Sequence, residues 1–140
     1  MVMPLVSVVV PSYNRAALLQ RTLRAILAQQ ITDLEVVVVD DGSTDETART
    51  LAAADPRVAV IRHQQPAGVS AARNRGIAAA RGEWIAFCDD DDLWSPHKLI
   101  RQLEAAEGVG AGWAYAGDVN IDERLQILSG GPPPDPEAAV

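Results

Sequence analysis

Four short apolar runs constrain the fold of this 140-residue chain more than any other feature of its sequence. The runs cover residues 6–10, 35–39, 58–61 and 84–88. The near-continuous apolar character of the first two runs is typical of parallel strands that are buried on both faces. Helices are predicted between the runs, from helical periodicity at residues 16–30, a capping box at the start of 43–54, and an alanine-rich segment at 69–80. Strands that alternate with helices predict an α/β fold, an open and mostly parallel sheet with helices on both faces.

Local signals predict where the later elements begin and end. Ser43 and Glu46 have the spacing of a capping box for the second helix. Ser95 and Pro96 form an N-cap and first-turn pair for a fourth helix, and residues 112–116 form a weak fifth strand. Residues 1–129 are interpreted as one domain. Residues 130–140 are interpreted as a tail or linker rich in glycine and proline, because three consecutive prolines cannot enter a helix or a central strand.

The composition excludes several classes of function and location. Nineteen acidic and twelve basic side chains give a net charge of −7, which repels a polyanion and argues against nucleic acid as a partner. The single cysteine, Cys88, cannot form an internal disulfide. It therefore indicates a reducing, cytoplasmic compartment and a small buried side chain. No basic and apolar leader and no membrane span are predicted. Attachment of a longer protein to the inner face of a membrane is left open.

Polar residues follow three of the four predicted strands directly. The first strand is followed by Ser12, Tyr13 and Asn14, the second by Asp40, Asp41 and Ser43, and the fourth by Asp89, Asp90, Asp91 and Asp92. In an open parallel sheet, ligands bind outside the carboxyl ends of the strands. The sequence therefore predicts a ligand site at this edge of the sheet.

The run of four aspartates after Cys88 has two interpretations. Crowded carboxylates repel one another, so a bound cation such as Mg²⁺ or Mn²⁺ would stabilise them. The alternative is a solvated acidic turn that caps the helix at Ser95. Spacing alone favours the metal without excluding the turn.

Four further side chains are less specific. Arg73 and Arg75 lie near a helix start, and one of them could bind a diphosphate with a bidentate geometry. Tyr13 offers an aromatic face to a base, although packing explains an isolated tyrosine equally well. His63 and His97 lack the spacing of metal ligands and are interpreted as surface or capping residues.

Several common motifs are absent from the sequence. Neither G-x-G-x-x-G nor G-x-x-x-x-G-K occurs, which disfavours a nicotinamide cofactor or ATP. No nucleophile elbow with serine, histidine and aspartate is present, so acyl transfer has little support. A receiver-type or phosphoryl-transfer domain would need an aspartate after the first strand, where this chain has Pro11 and Tyr13.

Taken in order, four segments resemble the successive motifs of family 2 glycosyltransferases. They are VSVVVPSYN at 6–14, VDDGSTD at 39–45, ARNRGI at 72–77 and FCDDDD at 87–92. The resemblance extends over about residues 5 to 128. It implies the fold called GT-A, a nucleotide-sugar donor that we take as a UDP-sugar, and a Mn²⁺ or Mg²⁺ cofactor.

The resemblance also implies roles for the nucleotide-binding residues. Pro11 and Tyr13 would border the nucleobase, with Tyr13 stacked on uracil, and Asn14 belongs to the same turn. Asp41 would accept a hydrogen bond from the base, and Asp40 would support that turn.

For the diphosphate, the resemblance places Arg73 near the base or the phosphates. Asp91 would bind the metal, and Asp89 would be the other aspartate of the D-x-D motif. Asp89 or Asp90 would contact the ribose or a metal-bound water. The run of aspartates leaves this register ambiguous by one residue.

The reaction implied by the resemblance is a displacement at the anomeric carbon of the sugar, with the metal stabilising the departing diphosphate. The catalytic base and the acceptor pocket are expected beyond Val140, so no catalytic residue is assigned here. The sugar, the acceptor, the stereochemical outcome and assembly into a homo-oligomer are left open. The alternative function is a module that binds nucleotide and metal without turnover.

Overall fold

The computed structural model describes residues 3–132, which divide into two compact units between Lys98 and Leu99. The first unit contains strands β1 (Val6–Ser12), β2 (Leu34–Asp40), β3 (Val58–Arg62) and β4 (Trp84–Phe87). Its helices are α1 (Ala16–Leu27), α2 (Thr47–Ala52) and α3 (Val69–Ala79). The second unit contains most of α4 (Lys98–Val109) and the strands β5 (Val119–Ile121) and β6 (Ile127–Gly130).

The four strands of the first unit form one parallel sheet in the order β3-β2-β1-β4. Every residue of β1 and β2 is buried, and each fully buried valine contributes roughly 1.5–3 kcal/mol relative to an exposed one. Since side chains alternate between the two faces, burial of both Val8 and Val9 means that both faces are covered. The predicted open parallel sheet flanked by helices is therefore confirmed.

Helix α3 lies unusually close to the central strands. Gly76 sits on this helix against Val9 and Val39, and a Cβ atom at position 76 would overlap the Val9 side chain. Helix α1 buries Leu19, Leu23 and Ile26. The close approach of α3 fixes the amino-terminal half of this helix, which carries Arg73, beside the carboxyl edge of the sheet.

Two predicted helix starts were wrong by a few residues. Helix α2 begins at Thr47 without a side-chain cap, because the Ser43 hydroxyl accepts a hydrogen bond from the Asn14 amide instead. Helix α4 begins at Lys98 rather than at Pro96, and the Lys98 amide donates to the Ser95 carbonyl in a preceding turn. In the first case a contact between two loops replaced the local capping box.

The second unit differs from its prediction. Residues 112–116 are not a strand, and Trp113 instead stacks on Tyr115 with ring centroids 5.3 Å apart. The strands of this unit, β5 and β6, pair antiparallel. Because β6 extends to Gly130, the predicted tail overlaps the strand by one residue. Residues 133–140 of that tail lie outside the described residues.

Within residues 3–132, no helix is long and apolar enough to cross a membrane.

Candidate functional site

The strand order brings the three predicted polar clusters together. Strand β1 lies between β2 and β4, so its carboxyl end is flanked by the ends of both neighbours. The Asp41 amide donates to the Ser12 carbonyl at 2.8 Å, and the Ser12 hydroxyl donates to the Asp90 carboxylate at 2.8 Å. Ser12 therefore links the two acidic segments across the end of the sheet.

Asn14 connects the loop after β1 to the loop after β2. Its backbone has a φ of 53°, a left-handed conformation that asparagine tolerates better than most residues. Its side-chain oxygen accepts hydrogen bonds from the amides of Thr44 (2.7 Å) and Asp45 (3.3 Å). The neighbouring residue Tyr13 is 47% exposed, whereas Pro11 is buried inside β1. Of the predicted residues in this segment, Tyr13 presents an open face to a ligand.

Asp40 organises the turn after β2. Asp40 is 1% exposed. One of its carboxylate oxygens accepts a hydrogen bond from the Ser43 amide at 2.9 Å, and the other lies 3.5 Å from Arg62 Nε. Gly42 has a φ of 81°, and a Cβ there would lie 3.0 Å from the backbone at Gln65 and Pro66. The turn thus needs both a buried carboxylate and a glycine.

Asp41 fixes the loop that precedes α3. Its carboxylate accepts the amides of Ala67 (2.9 Å) and Gly68 (2.8 Å) and lies 2.7 Å from Nδ1 of His63. Burial alone would raise its pKa, but the hydrogen bonds from Ala67, His63 and Gly68 outweigh it and lower the pKa. Asp41 is therefore an ionised carboxylate held in one orientation.

His63, interpreted from the sequence as a surface or capping residue, is partly exposed and has a partner that the sequence did not indicate. Its side chain is 21% exposed and contacts Asp41. His63 directly follows β3, which is the neighbour of β2, so the strand order would have indicated the contact. The sequence pattern alone does not reveal that order.

The four aspartates after β4 do not share one environment. The Asp90 side chain is 7% exposed, and its oxygens accept the Ser12 hydroxyl and a proton of Arg15. The side chains of Asp89 and Asp91 are 50% and 44% exposed. Thr22 holds the turn by donating to the carbonyls of Asp90 and Asp92. The two aspartates of the D-x-D spacing thus remain open to solvent while the one between them faces inward.

Negative charge is concentrated at this turn. Burial first, and then the charges of Asp89 and Asp91, raise the pKa of Asp92. Cys88, at the start of the turn, is 2% exposed, and burial followed by the charge of Asp92 raises its thiol pKa. This agrees with its prediction as a small buried side chain.

Two arginines neutralise the exposed aspartates. Arg73 Nη2 lies 2.6 Å from Asp89, and Arg15 Nη1 lies 2.6 Å from Asp91. Arg75, the other arginine near the start of α3, is exposed. Arg15 was missed by the sequence analysis, because its contact requires β1 and β4 to be neighbours.

The donor set fits a hard divalent cation. Mg²⁺ and Mn²⁺ are satisfied by one or two carboxylates, with water and phosphate oxygens completing the coordination. Asp89 and Asp91 offer such oxygens at an open surface. No group of three or more histidine, cysteine, aspartate or glutamate side chains that could hold a metal occurs within residues 3–132. The arrangement therefore suits a cation that is shared with a bound ligand.

Comparison with known proteins decides the family. Residues 7–128 match the family described as Glycosyl transferase family 2. The chain belongs to this family. As a glycosyltransferase of family 2, it carries the four quoted motifs, of which the matched region contains every residue except Val6, and the resemblance inferred from them is confirmed.

Curated relatives support the assignment. The chain is 47% identical over 109 residues to the succinoglycan biosynthesis protein ExoO of Rhizobium meliloti, covering 77% of the chain and 31% of that protein. It is 37% identical over 132 residues to chondroitin synthase of Escherichia coli, covering 91% of the chain and 19% of that protein. The family 2 chain thus spans at most about a third of the length of these two relatives.

Solved structures of similar glycosyltransferases carry donor ligands. S. aureus TarS, solved in complex with UDP-GlcNAc, is 30% identical with a TM-score of 0.69, covering 74% of this chain and 31% of that one. The mannosyltransferase PcManGT from Pyrobaculum calidifontis, solved with GDP-Man and Mn²⁺, is 29% identical with a TM-score of 0.70. That comparison covers 86% of this chain and 36% of PcManGT.

Proposed function

We propose that the carboxyl edge of the sheet binds a UDP-sugar through Mn²⁺ or Mg²⁺ and presents it for glycosyl transfer to an acceptor hydroxyl. The observation that carries the proposal is the exposure of Asp89 and Asp91, whose side chains are 50% and 44% open to solvent at the sheet edge where the exposed Tyr13 follows β1. Likeness to TarS, solved with UDP and with UDP-GlcNAc, supports uracil as the base.

In this proposal the base lies between Tyr13 and the turn that contains Asp41. The exposed ring of Tyr13 stacks on uracil, and Pro11 and Asn14 set the position of that ring. Asp41 Oδ2 accepts one hydrogen bond, from Gly68, so it can accept a second from the uracil N–H. Asp40 acts by holding the turn on which Asp41 lies.

The diphosphate lies over the exposed aspartates. Asp91 binds the cation, and Asp89 contacts the cation or its water, while the inward Asp90 positions the turn. The cation supplies Lewis-acid stabilisation of the departing diphosphate. Arg73 lies beside Asp89, and its Nε is buried without a partner within residues 3–132. An unsatisfied buried donor is costly, so we expect the guanidinium to rearrange towards a phosphate oxygen.

Residues 1–129 act as the donor-binding domain in this proposal. A carboxylate base that removes the proton of the acceptor hydroxyl, and the acceptor pocket itself, belong to the remainder of a longer protein. The chain covers only 31% and 19% of the length of two curated relatives, which supports assigning the base and the acceptor pocket to other parts of a longer protein.

The acceptor is proposed to be a growing cell-envelope carbohydrate at the inner face of the membrane. One relative, 35% identical over 71% of this chain and 40% of its own length, is named as a UDP-Glc:alpha-D-GlcNAc-diphosphoundecaprenol beta-1,3-glucosyltransferase from Escherichia coli. Its named acceptor joins a sugar to a lipid carrier. The unpaired Cys88 suits a cytoplasmic location.

The deciding experiment is calorimetric titration of UDP into the chain with Mn²⁺ and then with excess chelator. Selective binding of UDP that disappears with the chelator is expected, and GDP and ADP serve as matched controls. Binding of all three diphosphates with equal affinity would refute the preference for uracil. Absence of binding to each of them would refute the donor site.

A further inference from the structure

Arg15 occupies the carboxylates at which the divalent cation is proposed to bind. Its Nη1 lies 2.6 Å from Asp91 and 3.2 Å from Asp90, so one nitrogen bridges two carboxylates. The Arg15 side chain is 50% exposed. Within the described residues its guanidinium makes these contacts through Nη1 alone, so Nε and Nη2 can bind another acceptor.

Arg15 holds the Asp91 carboxylate through Oδ2. A divalent cation on the same carboxylate would lie close to the guanidinium, and the two positive groups would repel each other. The cation therefore binds Asp91 more readily when the guanidinium moves away. Half exposure leaves room for that movement, which costs little because partly exposed ion pairs are weak.

The position of Arg15 limits where its side chain can go. Residue 15 directly precedes α1, and its carbonyl accepts the Leu19 amide in the first turn of that helix. The backbone is therefore fixed, and a displaced guanidinium remains beside the turn after β4. A diphosphate that shares the cation with Asp91 lies within this region, and its oxygens match the donor fork of an arginine.

We propose that Arg15 is a positioning residue that holds Asp91 when no cation is bound and transfers to the diphosphate when the cation arrives. The proposal rests on the proposed function for the identity of the cation and the diphosphate. The proposal predicts positive coupling between cation and diphosphate. Cation binding releases the Arg15 guanidinium from Asp91, and the negative diphosphate then becomes the partner of the guanidinium. Cation and nucleotide then bind together more readily than either binds alone.

The test compares Arg15→Gln with wild type in a titration of Mn²⁺ without nucleotide, followed by the electron paramagnetic resonance signal of free Mn²⁺. Removal of the competitor should tighten Mn²⁺ binding about five- to tenfold. Arg21→Gln is the matched control, because it removes the same charge from an exposed position of α1. The control should change Mn²⁺ affinity less than twofold.

A second titration measures the coupling. The ratio of the Mn²⁺ dissociation constants without and with saturating UDP should be larger for wild type than for Arg15→Gln, about fivefold by the same reasoning. If Arg15 had a purely structural role, Arg15→Gln would weaken Mn²⁺ binding equally with and without UDP. The ratio of the two dissociation constants would then equal that of wild type. Arg15→Lys, which keeps the charge without the planar fork, should fall between the two proteins and serves the same comparison if Arg15→Gln does not fold.

Equal Mn²⁺ affinity in wild type and Arg15→Gln would overturn the proposal, as would the same gain in Arg21→Gln. The experiments also distinguish a failure of this role of Arg15 from a failure of the proposed function. A wild type that binds UDP with Mn²⁺ but an unaltered Arg15→Gln would reject the role of Arg15 alone. Tighter Mn²⁺ binding in Arg15→Gln without any UDP binding would support the competition and reject the donor site.

Discussion

Both edges of the parallel sheet pair a carboxylate with an arginine, but the two pairs are built differently. At the amino edge, Glu35 is 7% exposed on its side chain and pairs with Arg81. At the carboxyl edge, Asp91 is 44% exposed and pairs with Arg15. The carboxylate is therefore enclosed at the amino edge and open at the carboxyl edge, while both arginine side chains are about half exposed.

At the amino edge, hydrogen bonds within the protein occupy both carboxylate oxygens of Glu35. Glu35 accepts the Ser7 hydroxyl at 2.7 Å, the Arg81 amide at 2.8 Å and Arg81 Nη2 at 2.6 Å. Ser7 is its partner in the register of β1 and β2 and also accepts the Gly82 amide. A Cβ at position 82 would lie 2.5 Å from the Ser7 nitrogen, so the turn before β4 requires glycine there. This network fixes the start of β4.

Exposure to solvent determines how much each ion pair contributes to stability. A buried carboxylate with every oxygen bonded is costly to disturb, so it stabilises one structure. A half-exposed pair contributes little to stability, so its partner can be exchanged for a ligand at little cost. The protein thus uses one edge of the sheet for rigidity and leaves the other available for binding.

Asp91→Asn should have the largest effect, and on binding alone. Loss of one cation ligand should reduce Mn²⁺-dependent UDP affinity about 100-fold, measured by calorimetry. Stability to urea should change by less than about 1 kcal/mol, because the Asp91 pair is half exposed. Asp33→Asn, an exposed aspartate just before β2 at the opposite edge, is the control and should bind UDP as wild type does. Undiminished affinity in Asp91→Asn would remove Asp91 from the metal site.

Glu35→Gln should show the reverse pattern. Replacing the ionised acceptor of Arg81 and Ser7 should lower the free energy of unfolding by about 2 kcal/mol, measured by urea denaturation. UDP affinity of the folded protein should not change. Glu83→Gln, at an exposed position next to Gly82, is the matched control, and an equal loss there would show that burial is not the cause.

The smallest effect is the pH dependence of that difference. Burial raises the pKa of Glu35, but hydrogen bonds from Arg81 and Ser7 and the charge of Arg81 lower it below its ordinary value of 4.5. A depressed pKa stabilises the fold above pH 4.5 and loses that contribution as the pH falls through the folded value. The stability difference between wild type and Glu35→Gln should therefore shrink between pH 5 and pH 3. A difference that stays constant over this range would show that the charge of Glu35 does not matter.

Much of the fold was predictable because its signals are local. The valine runs of β1 and β2 allow only buried strands, and their alternation with helices restricts the connections to parallel crossovers. Polar residues that end these strands must then meet at one edge. For this reason Asp41, Asp89 and Asp91 were assigned to one site from the sequence.

The errors have a common cause in contacts between segments distant in the chain. The capping box at Ser43 was wrong because Asn14, 29 residues away, takes the Ser43 hydroxyl. The contact of His63 was missed because its partner Asp41, 22 residues away, directly follows the neighbouring strand. Local propensity cannot anticipate either partner, since both depend on the order of strands in the sheet.

The parallel sheet, the edge at which the polar residues gather and the family motifs follow from the sequence alone, because periodicity and residue type are properties of neighbouring positions. The packing of the fold sets which aspartates of the run stay open to solvent, and it places Arg15 against one of them. Those two facts depend on β1 lying between β2 and β4. That order is set by the packing of the whole sheet and not by any local stretch of the chain.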